Sequence, residues 1–336
     1  MRKLLLTTTA LVALGGVSAA SAIDISGSYG VEYYTESNTG GSADAADVSG
    51  DDFIDDGLIV FSGSTTADNG LTFGARMTLN HAGNIEDQQM TISGDFGTFM
   101  AGAQDGIVDG MDNFMTPGSA IIENGAATDN GGADGVGLLS SSMVADNPGT
   151  EKVGFRSNEI SGFQVGFSYE DAGEGATNNN DVAAWIVTYD MGVAKIGYAS
   201  SDTGSTTTNG ANTAQSQVGI GTSFAGFGIS AGFGTSKTAG ANGAPDTSKI
   251  DTRDVGLTYS IDDSTSIYAV NYSSEEKTGT NAGDKMSGTT FGLSYTIAPG
   301  VSSLIETASA DYTDATAGSA NADGLSQTTA KIVVSF

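Results

Sequence analysis

The chain contains no cysteine, only 4 prolines and a single histidine, His81. Without cysteine there is no disulfide framework, no thiol chemistry and no thiolate-held metal. His81 falls in a loop with no second histidine to join it, so no chemistry is assigned to it. Positive charge is almost as scarce. Lys and Arg total 12 against 40 Asp and Glu, a formal charge of −28. Nucleic acid is thereby excluded as a partner, because phosphate contacts need clustered Lys and Arg. Long apolar runs are missing too: after residue 22 none reaches the roughly 18 residues that a membrane helix needs. No amphipathic helical stripe persists beyond about two turns. The 49 glycines point the same way, since each costs about 1 kcal/mol relative to alanine inside a helix. No nucleophile elbow and no paired catalytic carboxylates are found, which speaks against an enzyme.

What is present begins with an export signal. Arg2 and Lys3 supply a charged start, Leu4 to Val17 an apolar centre, and Ala20-Ser21-Ala22 a small-residue cleavage site. Residues 1–22 are therefore read as a signal peptide, and the mature chain is expected to start at Ile23. Its loss removes Arg2 and Lys3 and leaves the protein two units more negative. The alternative, an uncleaved anchor helix, is disfavoured because the apolar run is short for a bilayer. Hydrophobic residues make up 38% of the chain and aromatics recur throughout, so order is expected despite the charge.

From Ile23 onward the sequence parses into short segments of period-two patterning, broken by Gly, Asp, Asn and Ser. Ile23 to Tyr34 comes first, followed by an acidic loop. Asp55 to Thr66 and Leu71 to Asn80 flank Ala67-Asp68-Asn69-Gly70, where Asn-Gly favours a hairpin turn. Later hairpins turn at Met191-Gly192, Ala225-Gly226, Asp262-Asp263 and Pro299-Gly300, and Leu325 to Phe336 closes the chain. The count is about sixteen strands, with an error of about two. Tight turns alternate with loops of about ten or more residues, as in outer-membrane barrels with unequal ends. Strands that cross lipid must close on one another, because open edges are not tolerated there. Alternation assigns the faces. Leu71, Phe73, Ala75, Met77 and Leu79 share one side, while Thr72, Arg76, Thr78 and Asn80 share the other. Ala330, Ile332, Val334 and Phe336 point outward and Lys331 inward; Ala194, Ile196 and Tyr198 oppose Lys195. Tyr34, Phe163, Tyr169, Tyr189, Phe227, Tyr312 and Phe336 lie near strand ends, as interface girdles do.

One stretch does not alternate. Asp105 to Thr150 is rich in Asp, Gly, Asn and Ala, with scattered Ile107, Val108, Met111, Phe114, Met115, Ile121 and Ile122. A structureless insert of that length is usually functional or disordered. Folded inside, its apolar Ile107, Met111, Phe114 and Ile121 would pack on the wall and on its own turns; left outside, they would serve a partner or be disordered. Asp129 to Gly135 resembles a calcium-binding turn through Asp129 and Asp134, without EF-hand spacing. An ordinary solvated loop is the plainer reading, and no cofactor is expected. Gly226 to Ala231 matches a G-x-G-x-x-A string but opens a strand, so it is no nucleotide site.

Ile23-Asp24-Ile25-Ser26-Gly27, Phe61-Ser62-Gly63, Asn69-Gly70-Leu71-Thr72-Phe73-Gly74-Ala75, Ile92-Ser93-Gly94-Asp95-Phe96-Gly97 and the terminal Phe336 resemble, in that order, the alphaproteobacterial (Rhodobacter-type) general porins of the outer membrane. The likeness covers about the first hundred mature residues and the last strand; the loops match only in kind. The resemblance implies an all-β transmembrane barrel of sixteen strands spanning 23–336, assembled as a homotrimer in outer-membrane lipid and lipopolysaccharide. It implies a water-filled channel for small hydrophilic solutes and ions, narrowed by a third loop (105–150) folded into the lumen. In such porins the acidic side of that loop faces basic residues on the wall. Here the loop carboxylates are Asp105, Asp109, Asp112, Glu123, Asp129 and Asp134. The wall cations are Arg76, Lys152 and Arg156, with Lys195 and Lys331 farther off. The chain departs from the family in having few basic residues altogether. Arg76, Lys152 and Arg156 have two compatible readings, as attractors of anionic groups or as ion pairs that steady the wall. Terminal Phe336 resembles the signal read by the barrel assembly machinery. Because rings of carboxylates favour cations, weak cation selectivity is expected. The competing readings are a plugged or narrow barrel acting as an adhesin or structural binding protein, and a secreted acidic solenoid, which would need a regular short repeat.

Overall fold

A computed structural model describes residues 23–39, 49–108, 150–171, 180–205, 212–240, 246–279, 282–313, 315 and 322–336. Strands β1 (Ile23–Thr39), β2 (Ser49–Thr66), β3 (Thr72–Asn80) and β4 (Ile85–Gly94) lead into β5 (Gly97–Gln104), β6 (Thr150–Ser157), β7 (Phe163–Glu170) and β8 (Asn180–Asp190). The second half is β9 (Ala194–Ser205), β10 (Thr213–Phe224), β11 (Phe227–Thr238), β12 (Ser248–Ser260), β13 (Thr265–Gly279), β14 (Lys285–Ala298), β15 (Val301–Thr313) and β16 (Ala322–Ser335). Each strand pairs antiparallel with its neighbours in sequence, and β1 closes the ring on β16 in the register Tyr29↔Val334 and Tyr33↔Ala330. A closed ladder leaves no open edge, so every strand can satisfy its peptide groups without water.

The two faces of this ring differ chemically. Outward positions carry Ile25, Phe73, Met90, Val153, Phe167, Trp185, Ile196, Ile229, Leu257, Phe291, Ile305 and Ile332, all exposed. Inward positions alternate with them and carry mainly Gly, Ser, Thr, Gln and charged groups, as in the buried trio Gly166, Ser168 and Glu170 of β7. A continuous exposed apolar belt on a closed barrel is a lipid face, and the enclosed polar side is the lumen. Aromatic pairs sit on the outer side near the short turns: Phe163 with Tyr189, Phe224 with Phe227, and Phe227 with Tyr259. Toward the long-loop end, outer Tyr29, Tyr33 and Tyr169 donate hydroxyl hydrogen bonds to Asp55, Asp51 and Asp181. Tyr34 does not belong to either belt. The β1 register puts it on the lumen side with Glu32, one residue out of phase with the outer Tyr33.

The expected strands all occur, but most run further toward the long loops than the apolar alternation suggests. β1 extends to Thr39, β9 to Ser205 and β13 to Gly279, while β2 starts at Ser49 and β12 at Ser248. Above an apolar belt the ladder can continue through Ser, Thr and Asp, because backbone hydrogen bonds do not depend on which side chains water solvates. At the opposite end the connections are tight. In the Ala225-Gly226 turn both residues adopt positive φ, 49° and 81°, the conformation of a two-residue hairpin turn that matches strand twist.

Apolar side chains also gather inside, in two places. Val270, Tyr272, Met286 and Ala310, with Tyr268, line the lumen face of β13–β15. Tyr268 and Tyr272 lie opposite Gly292 and Gly288 across the β13–β14 ladder, and a Cβ at either glycine would collide with the facing ring. The second cluster involves the foot of the long insert.

Candidate functional site: the lumen wall and the root of the third loop

After Gln104 the chain leaves β5 and turns inward. Ile107 and Val108, each 2% exposed, pack with Ala184, Ile186 and Ala199 on the lumen face of β8 and β9, against Met100 of β5. The Ile107 N–H donates to Ser168 Oγ at 3.3 Å. Gly166 of β7 makes this seat possible, since any Cβ there would collide with the Ile107 side chain. Burying a residue of this size contributes about 1.5–3 kcal/mol, so the root of the insert is fixed on the inner wall. Asp105, just before it, is exposed. Asp109, Asp112, Glu123, Asp129 and Asp134, with the calcium-like turn and Met111, Phe114 and Ile121, lie outside the described residues. Among the described residues no cluster of metal-ligating side chains occurs.

All five anticipated wall cations fall on lumen-facing register positions, in different circumstances. Arg76 sits on one register line with Gln89, Gly102 and Lys152, so about 14 Å of wall separates Arg76 from Lys152 at about 4.8 Å per strand. Gly102 between them carries no side chain. Arg156 lies four residues further along β6, opposite Thr98. Arg76 is exposed to the lumen and Arg156 partly so, and among the described residues neither forms an ion pair within 4.0 Å. Asp87 of β4 lies within electrostatic reach of Arg76, Lys152 and Asp105.

Lys152 behaves differently from an open attractor. Its side chain is 3% exposed; Nζ donates to the Gln104 carbonyl at 2.6 Å and Thr150 Oγ1 at 2.7 Å, and stands 3.8 Å from Glu170 Oε2. It thus ties both strands flanking the insert to β7, the wall-steadying reading. Lys195 is a hairpin clamp at the short-turn end, 3.2 Å from Asp190 across the β8–β9 turn, and is removed from any constriction. Lys331 of β16 meets the largely buried Glu32 of β1 at 3.5 Å, stapling the seam where the barrel closes. Of the two roles open to the wall cations, the ion-pair one is thus taken by three of the five, each matched by a carboxylate.

Inward acids were the part of the wall that inspection of the cations overlooked. Asp254 of β12, Glu276 of β13 and Glu306 of β15 are buried on the lumen side, with Glu306 accepting a hydrogen bond from Tyr268. In a ring of sixteen strands β12 lies directly across from β4. Arg76 on β3 and Arg156 on β6, in no ion pair among the described residues, therefore look across the lumen toward the acids of β12–β15. Each acid shares the parity of its strand's small and polar residues, a signal that the sequence carried. His81 Nδ1 lies 3.5 Å from Asp56 at the long-loop end, with both side chains largely exposed. Phe336, beyond β16, exchanges backbone hydrogen bonds with Gly27 at 2.9 and 3.0 Å. Its ring covers Gly27, where a Cβ would stand 2.9 Å from a ring carbon.

A closed sixteen-stranded antiparallel barrel with a lipid belt, a charged lumen and an insert rooted on the inner wall defines the class of outer-membrane channels. Residues 7–326 match the Gram-negative porin family, and the chain belongs to it. No curated protein sequence matches. Solved structures similar in fold include the anion-selective porin from Comamonas acidovorans, with a TM-score of 0.72 and 15% identity over 94% of this chain and 100% of that one. OmpT of Vibrio cholerae is similar at a TM-score of 0.69 and 14% identity, over 95% of this chain and 99% of that one. A mutant of the Rh. blastica porin follows the same fold at a TM-score of 0.56 and 15% identity, over 94% of this chain and 100% of that one. These identities establish a common fold; the family match makes this chain a channel of the outer membrane.

Proposed function

We propose that this protein is a passive diffusion porin for small hydrophilic solutes and ions, with a weak preference for cations. The observation that carries the reading is the charge of the lumen wall. Three of its cations are paired to carboxylates, while Asp254, Glu276, Glu306 and Asp87 add further negative charge; among the described residues Arg76 and Arg156 are the lumen cations in no ion pair. Inside a low-dielectric wall such groups focus the field and enrich counter-ions. The inward root at Ile107 and Val108 supports a third loop that continues across the lumen and sets the size limit, with its own carboxylates adding to the preference. Assembly as a homotrimer, removal of residues 1–22 after export, recognition of Phe336 by the assembly machinery and a nearer kinship with the Rhodobacter-type porins belong to the same reading. One of the similar structures is a trimer form of V. cholerae OmpT.

Reversal potentials in a planar bilayer under a KCl gradient test the proposal. A cation-favouring potential that shrinks as salt rises is expected, because screening shortens the reach of the wall charges. A zero or anion-favouring potential would defeat the selectivity. Absence of stable single-channel steps would favour the plugged, binding-protein barrel instead.

A further inference from the structure

We propose that the outer face of β11–β14 holds a site for a phosphate-bearing lipid of the outer leaflet. The proposal rests on the outer-membrane reading above. The chain has only 12 Lys and Arg, yet Lys237, Lys249, Arg253, Lys277 and Lys285 all belong to these four strands. Register places them on one side. Phe233↔Arg253↔Ser273↔Ser287 form one cross-strand line that continues the lipid-facing positions; toward the long loops, Glu275↔Lys285 lie two residues further and Lys237↔Lys249 four. Cations are thus concentrated on the lipid side of a strongly acidic protein, at the end where the long loops emerge.

Depth agrees with a headgroup position. On β12 the outward residues Tyr259, Leu257 and Val255 are apolar, and Arg253 is the first that is not. From Ile261 in the short turn to Arg253 is about 26 Å along the strand at about 3.3 Å per residue, or about 20 Å of height at a tilt of about 40° in an apolar belt about 25 Å tall. Lipid-facing cations are tolerated near such a boundary and not at midplane.

Two hollows at successive heights on this face give the site its shape. The upper one, about 480 Å³, is lined by Arg253, Ser273, Glu275, Lys277, Lys285 and Ser287 among others. Asp251 and Glu275 are already bridged, Asp251 to Lys249 at 3.0 Å and Glu275 to Lys277 and Lys285 at 2.8 and 3.5 Å. They hold the lysines in place without cancelling the excess of positive charge. Arg253 spends its Nε on Ser273 Oγ at 2.8 Å, and among the described residues it has no carboxylate partner. Its remaining N–H groups suit the planar, multi-oxygen geometry of a phosphate. The lower hollow, about 600 Å³, lies on β12–β16 among Leu257, Ile267, Ala269, Phe291, Leu293 and Ile305. Ala269 lies four residues below Ser273 on β13, about 13 Å along the strand, so an acyl chain in the lower hollow places a phosphate at Arg253. The basic cluster selects the head, and the gap left by Ala269 selects a chain over bare annular packing.

The test uses the full-length protein in detergent with a bis-phosphorylated lipid A as probe, read by native mass spectrometry. The dephosphorylated lipid and inorganic phosphate serve as comparisons. Retention of the phosphorylated lipid is expected to exceed that of the dephosphorylated one by tenfold or more. The double variant R253Q/K285Q should lose that difference, and A269W should lose retention with the basic cluster intact; K195Q, on the lumen side, should match the parent. Equal retention of both lipids, or by parent and R253Q/K285Q, would overturn the proposal in favour of unspecific annular lipid. Displacement of the lipid by millimolar phosphate alone would reduce the site to an ion contact. A change of oligomeric state in A269W or R253Q/K285Q would assign the face to contact between copies of this chain and equally overturn it. Single-channel conductance of R253Q/K285Q should stay at the parental value. If retention fails while conductance is normal, the lipid site falls and the channel reading stands.

Discussion

Truncating Ile107 to alanine isolates the seat of the third loop from the barrel that surrounds it. The side chain is 2% exposed and fills the space over Gly166 against Ala184, Ile186, Ala199 and Met100. Isoleucine-to-alanine changes at such sites cost about 2–5 kcal/mol. The lower end applies here, because the seat borders the lumen and can admit water. A loss of about 2.7 kcal/mol is about a hundredfold in the seating equilibrium. The barrel should not register it, since the hydrogen-bonded ladder does not pass through Ile107. The Val108 contacts and the Ile107 N–H bond to Ser168 remain, so the root should open intermittently rather than permanently. Single-channel recording of I107A should then show a higher mean conductance with added current noise. I107D, which sets an unpaired carboxylate against the same apolar wall, should show a larger rise. Heat-modifiability on gels should stay parental in both. Channels of I107A and I107D with parental conductance and noise, in protein that folds normally, would refute the claim that this seat holds a constriction.

Lys152→Ala should destabilise the barrel by about 3–5 kcal/mol, as removal of one member of a buried ion pair does, seen as a lower unfolding midpoint in guanidinium. The double variant Lys152→Met, Glu170→Leu should recover most of that loss. Arg76→Ala with Arg156→Ala removes the lumen cations that lack a described partner and should move the reversal potential further toward cations, whereas Lys195→Ala should leave it unchanged. In the β12–β13 turn, Asp262 Oδ1 accepts from the N–H groups of Ser264 and Thr265 and from the Ser264 hydroxyl, all at 2.8 Å. Those bonds, led by the Ser264 N–H, hold its carboxyl below the ordinary value. A depressed folded pKa stabilises the turn fully above the unfolded value of about 3.9 and loses that contribution as pH falls through the folded one. Protection of the Ser264 and Thr265 amides against hydrogen exchange should therefore exceed that of D262A at neutral pH. The two should converge only once pH has fallen through the depressed Asp262 value, which lies under the ordinary one of about 3.9.

Period-two alternation and turn chemistry made the barrel legible from the chain alone. Each strand records which side faces lipid, and Asn-Gly, Ala-Gly and Asp-Asp mark the hairpins. Strand ends were less legible: hydropathy stops at the edge of the apolar belt, whereas the ladder in β1, β9 and β13 runs on through polar residues. Parity also predicted that Arg76, Lys152, Arg156, Lys195 and Lys331 would point inward. It could not say which of them are spent. Glu32 finds Lys331 only because the ends of the chain meet at the seam, and Lys152 finds Gln104 only because the insert brings β5 and β6 together, while Glu170 reaches it across the short β6–β7 hairpin.

What the sequence determined by itself, then, is local: the repeat of two, the turns, the direction of each side chain and the excess of acid. Everything that depends on register between strands distant in sequence was decided by closure of the ring. That includes the acidic wall on β12–β15 facing Arg76 and Arg156 and the glycine at 166 that admits Ile107; the lysines on the outside of β11–β14 gather through the registers of consecutive hairpins. The physical reason is that alternation fixes the face of a residue but not its height or its neighbours, and charge acts through distance.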